Sequence, residues 1–401
     1  MNAAFEARLA TDLAALRSAG TYKTLRHLTG PMGPAVRMEE AGEVIVLSSN
    51  DYLGLADDPE VVAAGIAGLK KYGAGTASVR FICGTFDIHR QLEETIARFL
   101  GFEAALSYVS CWTANEGLLP TIATAADTLV SDELNHASII DGCRLSAAKR
   151  LRYKHGDMAD LELQLQQAQG TPFIVTDGVF SMEGSIAKLP EIVALAKRYG
   201  AVTIVDDSHG TGVMGPTGRG TLEHYGLTGE IDIVTGTLGK ALGGAAGGFV
   251  AGSRALIDTL VQRSRTQLFS NALPATVAAS AQAAIALLER KPELVARQRE
   301  NTRYFRAGLQ RLGYRPLEGP SAIVPILVGQ TAFAIALSER LLQAGVFVTG
   351  FGFPIVPEGT ARVRVQISSA HTREVLDRAL AAFEQVGTEL GLIGASAAAS
   401  R

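Results

Sequence analysis

Cysteine is scarce in this 401-residue chain: only Cys83, Cys111 and Cys143 occur. An odd count with no CxxC or Cys/His spacing argues against a disulfide framework and against a zinc site. It points instead to a reducing compartment. Long apolar runs are missing too. No stretch approaches 18 apolar residues, so no transmembrane helix is expected. The opening "MNAAFEARLATDLAALRSAG" carries charges throughout and has no apolar core of signal-peptide length. Charge of one sign is also lacking, since 37 Lys and Arg stand against 40 Asp and Glu for a net charge of −3. Without a basic cluster, neither nucleic acid nor membrane is expected as a partner. A soluble, cytoplasmic protein is the expectation.

What is present is the composition of a well-packed globular protein, 47% hydrophobic and 19% charged. Residues 1–45 read as an N-terminal helix, with Phe5, Leu9, Leu13 and Leu16 at helical spacing, and a polar connector. Over residues 46–290, helical patterns alternate with short, near-continuous β-type runs such as "TPFIVTDGVF", "AVTIVDDS" and "IDIVTGT". Strands buried on both faces have this character, so the large domain is expected to be α/β with a mostly parallel sheet. A long helical stretch over 275–312 leads into a smaller C-terminal α+β domain, 291–393. The low-complexity tail 394–401 is expected to be disordered.

In open α/β sheets, ligands bind beyond the carboxyl ends of the strands. Four such ends carry reactive side chains: Asp132, Asn135 and His136; Asp177 and Ser181; Asp206, Asp207 and His209; and Thr237 with Lys240. Lys240 lies in "TLGKALGG". A phosphate-binding P-loop fails there, because Val234 and Ala241 stand where Gly and Ser or Thr are needed. No GxGxxG follows an early strand, so a dinucleotide fingerprint fails as well. A third possibility is a lysine that holds pyridoxal phosphate as a Schiff base. That cofactor needs a carboxylate at its ring nitrogen, a group on the ring face and donors for its phosphate. Asp206 suits the first, and His136 could stack on the ring. His209 or Ser181 could bond its phenolic oxygen, and the helix start in "SCWTANEG" offers amides to a phosphate. Each also has an ordinary explanation: Asp206–Asp207 as a cap pair, His136 as a capping or turn residue, Lys240 as a solvated lysine, and Cys111 and Trp112 as core. Arg362 and Arg364, alternating on "ARVRVQ", could be an exposed basic stripe.

Taken together, the stretches "SSNDYLGL", "FICGT", "LNHASIIDG", "DGVFSMEG", "VDDSHGTG", "TGTLGKALGG" and "RVQISSAHT" resemble the α-oxoamine synthases, over about residues 40–390. The resemblance implies an aspartate-aminotransferase-like α/β fold (pyridoxal-phosphate fold type I) and pyridoxal 5'-phosphate as cofactor. It implies Lys240 as Schiff-base lysine and later base, and Asp206 at the pyridinium nitrogen. His209 and Ser181 fall near the phenolic oxygen, and His136 stacks on the ring. The amides of Cys111 and Trp112, with Thr237, hold the phosphate. Ser270 and Asn271 reach the phosphate of a neighbouring subunit, which implies a homodimer with shared sites. Asn50 and Arg364 bind the amino-acid carboxylate; Arg364 is preferred to Arg362 because it stands seven residues before His371. Family members join glycine, alanine or serine to acyl-CoA esters. "ASVRFICGT" and "GTLGKALGGAAGG" favour the branch using glycine and acetyl-CoA, whereas "SSNDYLGL" is nearer the form of the pimeloyl-CoA branch. A glycine/threonine aldolase or aminotransferase on the same cofactor is the second expectation, and a non-catalytic partner subunit the third. Retention of Lys240 and Asp206 weighs against the last.

Overall fold

The computed structural model describes residues 2–19, 21–353 and 356–394. Its centre is a seven-stranded sheet in the order Ala104–Tyr108, Gly248–Gly252, Ile233–Thr237, Val202–Asp206, Pro172–Asp177, Thr128–Asp132, Lys149–Tyr153. Gly248–Gly252 runs antiparallel to both neighbours; the other strands run one way. Strands such as Pro172–Asp177 and Gly248–Gly252 are buried at every residue, because helices cover both faces. That explains the continuous apolar runs and confirms the expected α/β class. Each fully buried large side chain, Phe249 or Phe180 for example, contributes about 1.5–3 kcal/mol through apolar burial.

A second core forms around Phe305, Tyr314, Val363, Val365, Leu376 and Phe383, together with Ile45 and Leu47 from the early chain. Its sheet orders Ile323–Gly329, Ala361–Gln366 and Thr349–Phe351, all antiparallel. A third small sheet pairs Ala35–Met38 with Gly42–Val46 and the latter with Val346–Phe347. "VFVTGFGFP" is therefore two short strands in different sheets.

Two further expectations are refined. The helical stretch 275–312 is two helices, Ala275–Arg290 and Glu293–Arg311, broken where Pro292 offers no N–H and crowds the preceding turn. The N-terminal helix Ala3–Ser18 forms, capped by the Asn2 side chain, yet buries no residue. Phe5, Leu9, Leu13 and Leu16 remain 41–44% exposed in the single chain. The tail 394–401, expected to be disordered, lies outside the described residues apart from Gly394. Among the described residues, no helix is long and apolar enough to cross a membrane.

Candidate active site

The parallel strands stop in register and place their reactive residues along one rim. Asp177 and Asp206 are direct partners on adjacent strands, and Asp206 is in turn paired with Thr235. Beyond Thr237 the chain turns through Gly243 and Gly244, both at positive φ, which L side chains rarely adopt. That turn returns the chain to the antiparallel strand and leaves Lys240 on the rim.

Lys240 Nζ lies 3.0 Å from His209 Nε2. Among the described residues no carboxylate approaches it within ion-pairing distance. Burial pushes its pKa down, opposed by the charge of Asp206 and assisted by that of Arg364. His209 is buried, and desolvation, with the charges of Lys240, Arg364 and His136, holds its pKa well below the usual value. The imidazole is therefore neutral at physiological pH. His209 Nδ1 meets the Tyr52 hydroxyl at 2.8 Å.

Asp206 is 3% exposed. Its Oδ1 accepts the Ser208 amide at 3.0 Å, and its Oδ2 accepts Asn115 Nδ2 at 2.7 Å and the Cys111 thiol at 3.6 Å. Burial and the neighbouring Asp206 charge push the Cys111 thiol well up, so it stays a donor. Asp177 is pushed well up by burial and by Asp206, and it accepts the His136 amide at 2.7 Å. His136 caps the helix Ala137–Leu145, as its ordinary explanation anticipates. Its Nδ1 lies 2.8 Å from Ser138 Oγ, and Asn115 Nδ2 donates to that same hydroxyl at 2.9 Å. The ring stays open to solvent, while surrounding protein lowers its pKa by desolvation. Trp112 meets it edge-on, 5.9 Å between centroids.

The helix Cys111–Ile122 begins beside this carboxylate, capped by Ser110 Oγ accepting the Thr113 amide. Its first amides have no acceptor within the helix and face outward as anion donors. Ser110 bridges to Gly247, and the Thr237 hydroxyl donates to Gly247 O and accepts the Gly239 amide. The Thr237 turn is thereby fastened beside the helix start. A Cβ on Gly248 would stand 2.2 Å from Cys111 N, so only glycine permits this approach.

Arg364 and Asn50 close the site from the second core. Arg364 Nη1 donates to Ser181 O at 3.0 Å and Nη2 to Gln366 Oε1 at 3.3 Å; its charge lies 5.0 Å from the Phe351 ring centre. Gln366 Nε2 donates to Asn50 Oδ1 at 2.6 Å and to the Tyr52 hydroxyl at 2.7 Å. Neither arginine of "ARVRVQ" belongs to an exposed stripe. Arg362 is buried and pairs with Glu183 at 3.1 Å.

Some rim residues serve the scaffold. Asp132 pairs with His155 and Asn135 ties neighbouring strands through Val175 O, while Asp207 accepts from Thr211 and Thr221. Ser270 and Asn271 sit on a segment bridged to Val79 and make no hydrogen bond to the Lys240 cluster within one chain, among the described residues. Sequence reasoning passed over Tyr52, Gln366, Asn115 and Ser138. Gln366 shares a strand face with Arg362 and Arg364, and Asn115 stands one helical turn after Cys111, so both spacings pointed into the site.

The donor set fits pyridoxal phosphate on three observations. Asp206 is a buried carboxylate with no cationic partner among the described residues, as a protonated ring nitrogen requires. Lys240 carries no counter-ion among the described residues. Among those same residues, Arg364 Nε, Ser208 Oγ and Thr235 Oγ1 are buried without hydrogen-bond partners around the same rim.

Comparison with known proteins accords with this geometry. The pattern of the family "Aminotransferase class I and II" matches residues 42–383. The chain is 50% identical to the 8-amino-7-oxononanoate synthase of Symbiobacterium thermophilum, over 96% of this chain and 98% of that one. It is 45% identical to the 2-amino-3-ketobutyrate coenzyme A ligase of Escherichia coli K12, over 98% and 100%. A solved serine palmitoyltransferase from S. paucimobilis with bound PLP superposes at TM-score 0.91 and 32% identity, covering 96% of this chain and 98% of that one.

Proposed function

The chain belongs to the class I and II aminotransferase family of pyridoxal-phosphate enzymes, in its α-oxoamine synthase branch, and from that premise we propose that it condenses glycine with acetyl-CoA. The products are 2-amino-3-oxobutanoate and CoA. The observation that carries the chemistry is the convergence of the Lys240 amine and the buried Asp206 carboxylate, neither with an ion-pair partner among the described residues, with the Arg364 guanidinium. Several relatives named 2-amino-3-ketobutyrate coenzyme A ligase, at 45–47% identity, support the choice of substrates.

When bound, pyridoxal phosphate supplies the electron sink that acidifies the Cα–H of the amino acid. Asp206 holds a positive charge at the ring nitrogen, fixed by Asn115 and Ser208. His136 would cover one face of its ring, and His209 and Ser181 would be the partners of its phenolic oxygen. The amides of Cys111 and Trp112, with Thr237, would hold its phosphate; Ser270 and Asn271 would serve the site of a second copy in a homodimer. Arg364, with Asn50, grips the substrate carboxylate, and its planar fork suits two oxygens at once. The Lys240 amine would take the Cα proton onto Nζ. Burial shifts its pKa downward, in the direction that favours the neutral amine. The Cα–acyl bond forms as the thioester C–S bond breaks, and CoA leaves as a thiol after taking a proton.

The 50% identity to an 8-amino-7-oxononanoate synthase supports a second reading, with alanine and a longer acyl-CoA. Thiol release measured with glycine, alanine and serine against acetyl-, succinyl-, pimeloyl- and palmitoyl-CoA separates the two. Glycine with acetyl-CoA is expected to dominate; preference for alanine with pimeloyl-CoA would replace this assignment. Threonine cleavage without any CoA ester would return it to the aldolases.

A further inference from the structure

Five polar groups form one continuous hydrogen-bonded line from Arg364 to Lys240, buried at its three middle members, and the chemistry of its first member sets its direction. Arg364 can only donate. Its Nη2 contact at 3.3 Å therefore requires the oxygen of the Gln366 amide, which turns Gln366 Nε2 toward Asn50 Oδ1 and the Tyr52 hydroxyl. Asn50 cannot present its own amide nitrogen there, because two donors would meet. The Tyr52 oxygen thus accepts from Gln366, and its one proton is left to donate. Asn50 Oδ1 is 3.4 Å away, beyond the usual reach of a hydroxyl donor, whereas His209 Nδ1 stands at 2.8 Å. The proton goes to His209.

We propose that Tyr52 and Gln366 are positioning residues: the one-way chain Arg364→Gln366→Tyr52 fixes His209 as the neutral ring protonated on Nε2, which presents an N–H to Lys240. A protonated Lys240 would then oppose donor to donor across 3.0 Å, so the freed amine is held as a proton acceptor. Burial shifts the pKa of both groups downward, in the sense that favours that state. The links between the two ends are enclosed: Tyr52 and Gln366 are each 1% exposed and His209 8%, so water does not replace a missing link. The consequence for Lys240 rests on its role in the reaction proposed above; the direction of the chain does not.

The test is the tautomer itself. Full-length protein labelled with 15N-histidine and stripped of cofactor, so that only the chain's own groups face Nε2, with His209 assigned by its loss in His209→Asn, is expected to show Nε2 protonated and Nδ1 bare. Gln366→Glu offers two accepting oxygens, so the Tyr52 proton turns to the carboxylate and His209 must donate from Nδ1; the tautomer inverts. Tyr52→Phe, the milder change, leaves the ring to populate both forms. It lowers kcat about tenfold while KM for the amino acid stays within about twofold, because Arg364 is untouched. A wild-type His209 protonated on Nδ1 overturns the proposal. So does a pure Nε2–H form persisting in Tyr52→Phe, which decides the matter if Gln366→Glu does not fold. Absence of turnover with every acyl-CoA, with the Nε2–H signal intact, instead sinks the proposed reaction and leaves the chain standing.

Discussion

Acidification should loosen the fold through His371, and the size of the effect follows from two hydrogen bonds. His371 is buried; its Nε2 donates to Val46 O at 3.0 Å and its Nδ1 accepts the Ser368 amide at 3.0 Å. A neutral ring satisfies both, whereas a second ring proton would face the Ser368 N–H donor to donor. Burial accordingly pushes the pKa down to about 4, against roughly 6.5 in an unfolded chain. Between those values the unfolded state binds the extra proton, so stability falls as pH falls. The contribution is whole above about pH 6.5 and gone below about 4. A gap of about 2.5 units corresponds to about 3 kcal/mol, of which roughly 2 kcal/mol is lost by pH 5. Asp207 works the other way. Burial pushes its carboxyl up to about 7, so it destabilises progressively as pH rises through that range. The measurement must therefore be a difference. Urea unfolding, followed by circular dichroism, compares the wild type with His371→Gln at pH 7 and pH 5. The glutamine amide donates and accepts in the same two directions but does not titrate. The wild type should lose about 2 kcal/mol more than the variant between the two pH values. Equal losses would refute the assignment of a neutral buried imidazole.

Three further outcomes are expected. Lys240→Ala should abolish covalent attachment of the cofactor, read from its visible absorbance, and reduce thiol release by roughly a thousandfold or more; activity within tenfold of wild type would remove Lys240 from its role. Arg364→Lys keeps the charge but loses the fork, so KM for the amino acid should rise about ten- to a hundredfold, with KM for the acyl-CoA unchanged. Gly248→Ala puts a Cβ 2.2 Å from Cys111 N and must displace the start of the helix Cys111–Ile122. Cofactor titration should then show weaker binding before any change in far-ultraviolet circular dichroism, and undiminished affinity would contradict the placing of phosphate at those amides.

Much of this was legible in the chain because its signals are local. Strands covered on both faces must be continuous apolar runs, and polar residues at their carboxyl ends fall on one rim, so Asp206, His209 and Lys240 stood out together. Breaks were harder to see. The apolar spacing runs unbroken through 275–312, and only the backbone chemistry of Pro292 divides it. Tyr52 and Gln366 were missed for another reason. Their value lies in what they touch across more than 300 positions of sequence, and neither Tyr52, in a turn, nor Gln366, at the end of an apolar strand, names its distant partner. Ser270 and Asn271 stayed apart from the Lys240 cluster because one chain alone offers them no partner there.

Lys240 and Asp206 stand on the large sheet, whereas Arg364 belongs to a strand of the second core. The helix Glu293–Arg311 begins in the large core with Leu294 and Val295 and ends in the second with Phe305 and Leu309, so the chain passes from one core to the other within it. An amino acid held at its carboxylate by Arg364, with its α-carbon beside Lys240, would therefore be a strut across the seam. Its length, from carboxylate to amine, would gauge how closely the two bodies stand, and a ligand one methylene longer would wedge them apart.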